Sequence, residues 1–178
     1  SSIESIPNGV VVDSRYNKPD PVLRRIIFLG RLEPVKCPGL ILDLAQAAPG
    51  FNYEIYGSGS LHDSLVSAIK TKNIKNVSLK GEINAPQEVL SRSTIMILPS
   101  FTEGHPQVVI ESLSRRRPVI IFEEISHVVK NRKGIFISKR NKIDFSKTVE
   151  HIIKNYKKIQ DEMDENKLPT KDEFFFKI

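Results

Sequence analysis

The sequence predicts an α/β fold: a doubly wound parallel sheet of about six strands with helices on both faces. Three observations predict it. Six short apolar runs alternate with amphipathic stretches along the 178 residues. RIIFLG is a continuous apolar run and TIMILPS is strongly apolar, as strands buried on both faces require. The connections are short, so each helix carries the chain across to a parallel neighbour.

Each element has its own signature. RIIFLG (25–30) is the first strand, closed by a glycine. In RLEPVKCPGLILDLAQAA, Pro38 suits the first turn of a helix, and Leu40, Leu42, Leu44 and Ala48 supply much of its apolar face. PGFN breaks that helix, and YEIYG (53–57) is the second strand. SGSLHDSLVSAIKTKN predicts a helix, with Leu61, Leu65 and Ile69 at i, i+4 and i+8. NVSLKG (76–81) is the third strand, and APQEVLSRS a short helix opened by proline.

TIMILPS (94–100) is the fourth strand, QVVIESLSRR a helix, PVIIF (118–122) the fifth strand and GIFIS (134–138) the sixth. IDFSKTVEHIIKNYKKIQDEM reads as one long terminal helix, its buried stripe marked by Phe145, Val149, Ile152, Ile153 and Tyr156. The expected organisation is one Rossmann-like domain over 1–165 and a charged, then aromatic, tail over 166–178.

Composition narrows the function classes. A net charge of +6 favours anionic partners: nucleic acid, anionic lipid or phosphorylated metabolites. Lysine is dense from Lys130 to Lys177, and Arg115, Arg116 and Arg117 form a short run. Each cluster taken alone reads as a solvated face. No aromatic-rich stacking surface or known motif supports a nucleic-acid partner. The sequence has no run of 18 apolar residues, and SSIESIPNGVVVD lacks the basic start of a secretory signal, reading instead as a linker that enters a domain. Cys37 is the single cysteine, which fits a small apolar residue in the cytoplasm. His62, His105, His127 and His151 show no ligand spacing and no Asp-x-Asp occurs, so no protein-bound metal is expected.

In doubly wound sheets ligands sit beyond the carboxyl ends of the strands. GRLEPVK comes after the first strand, with Arg31 and Lys36 on the loop. GSGS comes after the second, with Gly57 and Gly59; KGEIN after the third, with Gly81 and Ile83; PSFTEGHPQ after the fourth. Glycines let a backbone approach a ligand, and helix N-termini offer N–H groups to anions, so the expected ligand is phosphorylated. Singly these features are ordinary. Gly-Ser-Gly is a common turn, and Arg31 and Lys36 suit a solvated surface. G-x-G-x-x-G is absent after the first strand, and so is the G-x-x-x-x-G-K-[ST] loop.

The ordered set GRLEPVK, YGSG, LPSFTEGHPQVVIESL and RPVI resembles the C-terminal, donor-binding domain of the family 4 retaining glycosyltransferases (glycosyltransferase group 1, GT-B fold). The resemblance covers roughly residues 5–160, beginning at IPNGVVVD. Its strongest element is E-x7-E, here Glu103 and Glu111.

That resemblance implies a UDP- or GDP-linked sugar donor as substrate and no further cofactor. It implies that Arg31 and Lys36 hold the donor diphosphate and stabilise the leaving group. Glu111 would accept hydrogen bonds from the ribose hydroxyls. Glu103 would stand beside the sugar, as nucleophile or charge stabiliser. Gly104 would admit the sugar to the backbone, and His105 would lie near it. Gly57 and Gly59 would line the donor loop, and Gly81 and Ile83 the turn that reads the base. The implied partner is an acceptor-binding domain N-terminal to this one. The chain is thus expected to be a fragment cut near Ser1–Pro7, weakly active or inactive alone, that serves transfer of a hexose-type sugar to a glycan or lipid-linked acceptor. The expected place is the cytoplasm, with peripheral contact at the anionic inner face of the membrane.

Two departures from the family pattern stand out. Arg115, Arg116 and Arg117 precede PVII where a small residue is common. FEEISHVVKNRKG replaces a glycine-rich loop after the fifth strand, with His127 where a glutamate is usual. Alternatives remain at this point: a non-catalytic sugar-nucleotide-binding subunit with a partner chain, a GT-B-type epimerase, or a basic nucleic-acid-binding module.

Overall fold

The structure, a computed structural model, describes residues 23–129 and 131–168. The IPNGVVVD stretch and the tail from residue 169 lie outside the described residues. The strands are β1 (Arg25–Leu29), β2 (Asn52–Tyr56), β3 (Val77–Gly81), β4 (Ile95–Leu98), β5 (Val119–Phe122) and β6 (Ile135–Ser138). They form one all-parallel sheet in the order β3-β2-β1-β4-β5-β6. The helices are α1 (Leu40–Ala47), α2 (His62–Thr71), α3 (Pro86–Ser91), α4 (Gln107–Ser114), α5 (Lys142–Lys154) and α6 (Tyr156–Met163), and they cover both faces.

This is the expected architecture, and the apolar runs explain it. Every residue of β4 and β5 is buried. Each such aliphatic side chain contributes about 1.5–3 kcal/mol, so these two strands anchor the core. The order steps outward from β1 in one direction and then from β4 in the other. The junction of β1 and β4, in register at Ile26–Ile95 and Ile27–Met96, is the topological switch point.

Three expectations need correction. The terminal helix is two helices, α5 and α6, broken at Asn155. The Asn155 amide donates to the His151 carbonyl at 2.9 Å and so competes with the helix ladder. The break turns Tyr156 inward, where its hydroxyl donates to the Thr94 carbonyl at 2.6 Å.

Helix α1 starts later than Pro38, after a 3₁₀ turn at Pro34–Lys36 and a left-handed Cys37 (φ 49°). That rotates its inward face to Ile41, Leu42, Leu44 and Ala45, leaving Leu40 and Ala48 half-buried.

The arginine run is not a solvated face. Arg115 and Arg117 are buried. Helix α4 ends with Arg116 N–H donating to Leu113 at 2.9 Å and Arg117 N–H to Ser112 at 3.0 Å, the two bonds of a Schellman stop. Arg116 takes the left-handed position (φ 54°) where glycine is usual, and pairs with Asp164. Arg117 turns its guanidinium to the end of α3, donating to the carbonyls of Leu90 (3.0 Å) and Ser91. Burial pulls its pKa down to about 10, so it stays charged at neutral pH.

Candidate functional site at the carboxyl edge of the sheet

The loops at the carboxyl edge are tied to one another in sheet order. Between the loops after β2 and β3, Gly57 N–H donates to Gly81 at 2.8 Å, and the Ser58 hydroxyl to Glu82. Between those after β1 and β2, Leu32 N–H donates to Ser58 at 2.7 Å, and the Ser60 hydroxyl and N–H both donate to Glu33. Those Ser60 bonds, with the charge of Arg31 adding to them, hold the Glu33 carboxyl below the usual carboxylate range. Across the switch point, Phe101 N–H donates to Val35 at 2.9 Å.

The same junction carries the central ion pair. The Lys36 ammonium donates to Glu103 Oε1 at 2.5 Å, and the Ser100 hydroxyl donates to the same oxygen at 2.6 Å. The Glu103 side chain is only 8% exposed, and these two donors offset the cost of its burial. The 3₁₀ turn ending at Lys36 points the amine across the junction, and the short loop from Leu98 to Gln107 brings Glu103 to meet it.

At the same edge, over the ends of β1, β2 and β3, lies a groove of about 370 Å³, lined among others by Gly30, Arg31, Gly57, Glu82 and Ile83; neither Lys36 nor Glu103 lines it. Arg31 is exposed and forms no ion pair among the described residues. Its charge is available to a ligand in the groove.

The sequence-predicted residues thus divide. Lys36 and Glu103 touch; Arg31, Gly57 and Ile83 share the groove. Gly59, Gly81, Gly104, His105 and Glu111 do not line it. Glu111 is half-buried on α4. Burial raises its carboxyl above the ordinary range, against the opposing pull of Arg115. His105 is exposed on the loop before α4.

The glycines have distinct reasons. A Cβ on Gly57 (φ 131°) would lie 1.8 Å from the Gly30 carbonyl oxygen, and one on Gly59 would lie 2.6 Å from that of Leu32. Those two glycines are required by the packing of the loops after β1 and β2. Gly81 needs glycine for its backbone (φ 74°). Nothing lies within 4 Å of a Cβ on Gly104, so the chain's own packing does not demand glycine there.

Residues that the sequence did not single out complete the edge. Ser100 bonds Glu103, and Arg140, just after β6, bonds the Ser100 carbonyl at 2.9 Å. A sequence signal for Arg140 exists: Ser138-Lys139-Arg140 carries two cations past the end of the sixth strand, at the same sheet edge as the loops after the first four. No group of three or more His, Cys, Asp or Glu suited to a metal occurs among the described residues.

The family model for glycosyl transferases group 1 matches residues 15–168. The chain belongs to that family. Among curated relatives of this glycosyltransferase chain, the poly(ribitol-phosphate) alpha-N-acetylglucosaminyltransferase of Staphylococcus aureus (strain COL) is 27% identical over 136 residues, covering 71% of this chain and 28% of its own length. An Escherichia coli UDP-Gal:alpha-D-GlcNAc-diphosphoundecaprenol alpha-1,3-galactosyltransferase is 32% identical over 167 residues, covering 80% of this chain and 42% of its own. The chain spans less than half the length of these curated relatives. A crystal structure of an S. aureus TarM mutant with fondaparinux, alpha-GlcNAc-glycerol and UDP shares the fold at a TM-score of 0.77 and 24% identity, over 97% of this chain and 38% of TarM. WaaG, a glycosyltransferase of lipopolysaccharide biosynthesis, shares it at 0.68 and 12% identity, over 92% of this chain and 52% of WaaG. The fold is thus that of GT-B glycosyltransferases.

Proposed function

We propose that this domain binds the nucleotide-sugar donor of a retaining glycosyltransferase, while a second domain outside this chain holds the acceptor. One observation carries the reading: the loop after β1 gives Lys36 to an ion pair with Glu103 at the switch point and an exposed Arg31 to a groove at the same sheet edge. The diphosphate of a UDP- or GDP-linked hexose lies between Arg31 and Lys36. It competes with Glu103 for the Lys36 ammonium and so frees the Glu103 carboxylate beside the sugar. The bond from the anomeric carbon to the diphosphate oxygen breaks with the electron pair leaving on the nucleoside diphosphate. The two cations stabilise that charge. The acceptor hydroxyl bonds the same carbon and passes its proton to the departing diphosphate oxygen, with configuration retained.

Glu111 takes the ribose diol, because a carboxylate offers two acceptor oxygens. Gly104 and His105 border the sugar, and Gly81 and Ile83 the base. No protein-bound metal or further cofactor takes part. The names of the relatives support a glycan or lipid-linked acceptor and a place in polysaccharide synthesis. The setting is cytoplasmic, with the basic C-terminal third against the inner membrane face. Alone, with half of the cleft elsewhere, the chain binds donor but transfers sugar poorly.

The test is calorimetry of the chain with UDP, GDP and their common sugars. The expected result is selective binding by one family of nucleotides, lost in Arg31→Ala and Glu111→Ala. Absence of binding to all of them by a folded sample would sink the proposal.

A further inference from the structure

The loop after β5 departs from the glycosyltransferase pattern, and the structure gives its glutamate a partner. Glu124 accepts a hydrogen bond from Arg140 Nε at 2.5 Å. The Arg140 guanidinium lies over the rings of Phe101 (4.1 Å to the centroid) and Phe122 (5.0 Å). Its Nη2 donates to the Ser100 carbonyl at 2.9 Å. Ser100, held at its backbone, donates through its hydroxyl to Glu103. One guanidinium therefore joins the ends of β4, β5 and β6 at a point one residue removed from Glu103.

Stability alone accounts poorly for this arginine. Its side chain is 17% exposed, and its Nη1 is buried with no hydrogen-bond partner among the described residues. An unpartnered buried donor is a cost that an apolar side chain packed between two phenylalanines avoids. What an apolar side chain lacks is the planar fork that bonds Glu124 and Ser100 while stacking on both rings.

We infer that Arg140 is a positioning residue for Glu103, clamped by Glu124 and acting through Ser100. The inference rests on the proposal that Glu103 stands beside the donor sugar. Without Arg140 the Ser100 carbonyl loses its anchor, and the hydroxyl no longer fixes one Glu103 oxygen. The nucleotide part of the donor, held in the groove lined by Arg31 and Ile83, is unaffected.

The experiment compares Arg140→Met, Arg140→Lys, Glu124→Gln and Glu103→Gln in the whole chain, each checked for folding by thermal unfolding. The probes are UDP, UDP-N-acetylglucosamine, UDP-glucose, GDP and GDP-mannose. Arg140→Met is expected to weaken the sugar nucleotide that binds by about tenfold and its bare diphosphate by less than about twofold, the scale of one lost charged hydrogen bond. Arg140→Lys is expected to leave that selective loss in place, Glu124→Gln to give a smaller one, and Arg140→Met with Glu103→Gln to lose no more than Glu103→Gln alone. Equal weakening of both ligand types, or none, overturns the inference. A Glu103→Gln that fails to separate sugar nucleotide from diphosphate, or a panel with no binder, overturns the underlying site reading and the inference with it. A readout free of nucleotide separates the two failures. The Glu103 carboxyl-carbon resonance, assigned by its loss in Glu103→Gln, must move in Arg140→Met and Glu124→Gln; an unmoved resonance overturns the positioning role whatever the ligands do.

Discussion

Lys36 and Glu103 meet at 2.5 Å across the junction of β1 and β4, the two strands from which the sheet grows in opposite directions. The pair serves two purposes that pull apart. It neutralises a nearly buried carboxylate in the free domain, and it sets the cation where a diphosphate claims it.

Removing one partner therefore tests the first purpose. Lys36→Met leaves Glu103 buried with a single donor and is expected to cost about 1–3 kcal/mol, discounted from fully buried pairs because Lys36 remains 21% exposed. Glu103→Gln keeps the Ser100 bond and is expected to cost less. Urea unfolding of both single variants and the double variant measures the coupling, and additive losses would contradict the pairing.

Two glycines of the carboxyl-edge loops, Gly57 and Gly104, are expected to respond oppositely. Gly57→Ala drives a Cβ into the Gly30 carbonyl and is expected to destabilise the fold by about 3 kcal/mol or more. Gly104→Ala meets open space and is expected to unfold at the same urea concentration as the parent, while losing donor affinity. A Gly104→Ala variant with unchanged sugar-nucleotide affinity would remove the sugar from that loop.

Arg116 occupies a glycine position. Arg116→Gly relieves left-handed strain of about 1 kcal/mol but loses an exposed bridge to Asp164 and frees the unfolded chain. These terms nearly cancel, and the expected net is within about 0.5 kcal/mol of zero, seen as an almost unchanged Tm. A marked fall in Tm would mean that the Asp164 bridge outweighs the strain.

Glu111 carries a pH signature. Burial raises its folded pKa above the unfolded value. The fold therefore prefers the protonated acid, and stability is lost as pH rises through the ordinary carboxylate value towards the folded one. Ribose binding needs the ionised form, so nucleotide affinity is expected to fall on acidification sooner than an ordinary glutamate would allow. Isothermal titration across pH 4–7 should show that dependence in the parent and lose it in Glu111→Gln; a flat parent profile contradicts the assignment (pH range set by the usual glutamate value of about 4.3).

The architecture was legible because strands buried on both faces read as unbroken apolar runs, and β4 and β5 are such runs. The break at Asn155 was not, because an asparagine on a helical pattern shows its competing hydrogen bond only in place. Arg117 misled because charge reads as surface, and the carbonyls at the end of α3 that receive it lie 26 residues or more away in sequence. The glycine-rich loops were visible, but Gly57 and Gly59 answer first to neighbouring backbone. Arg140 shows in the sequence only as a cation past the sixth strand, because its four partners come from the loop after β4 and from the end of β5, neither of which announces the other.

The strand order also has a kinetic consequence. Residues of β1, β2 and β3 form one half of the sheet from a contiguous stretch of chain, and β4, β5 and β6 form the other. Within each half, closure is local; only the β1–β4 join brings residue 26 to residue 95. That join is the largest loop closure in the sheet and the natural late step of folding. Lys36 and Glu103 stand on opposite sides of it. A chain with only one half assembled cannot present both, so the ion pair comes into being with the last seam, and a ligand that bridged the loops after β1 and β4 would act as the stitch that keeps it shut.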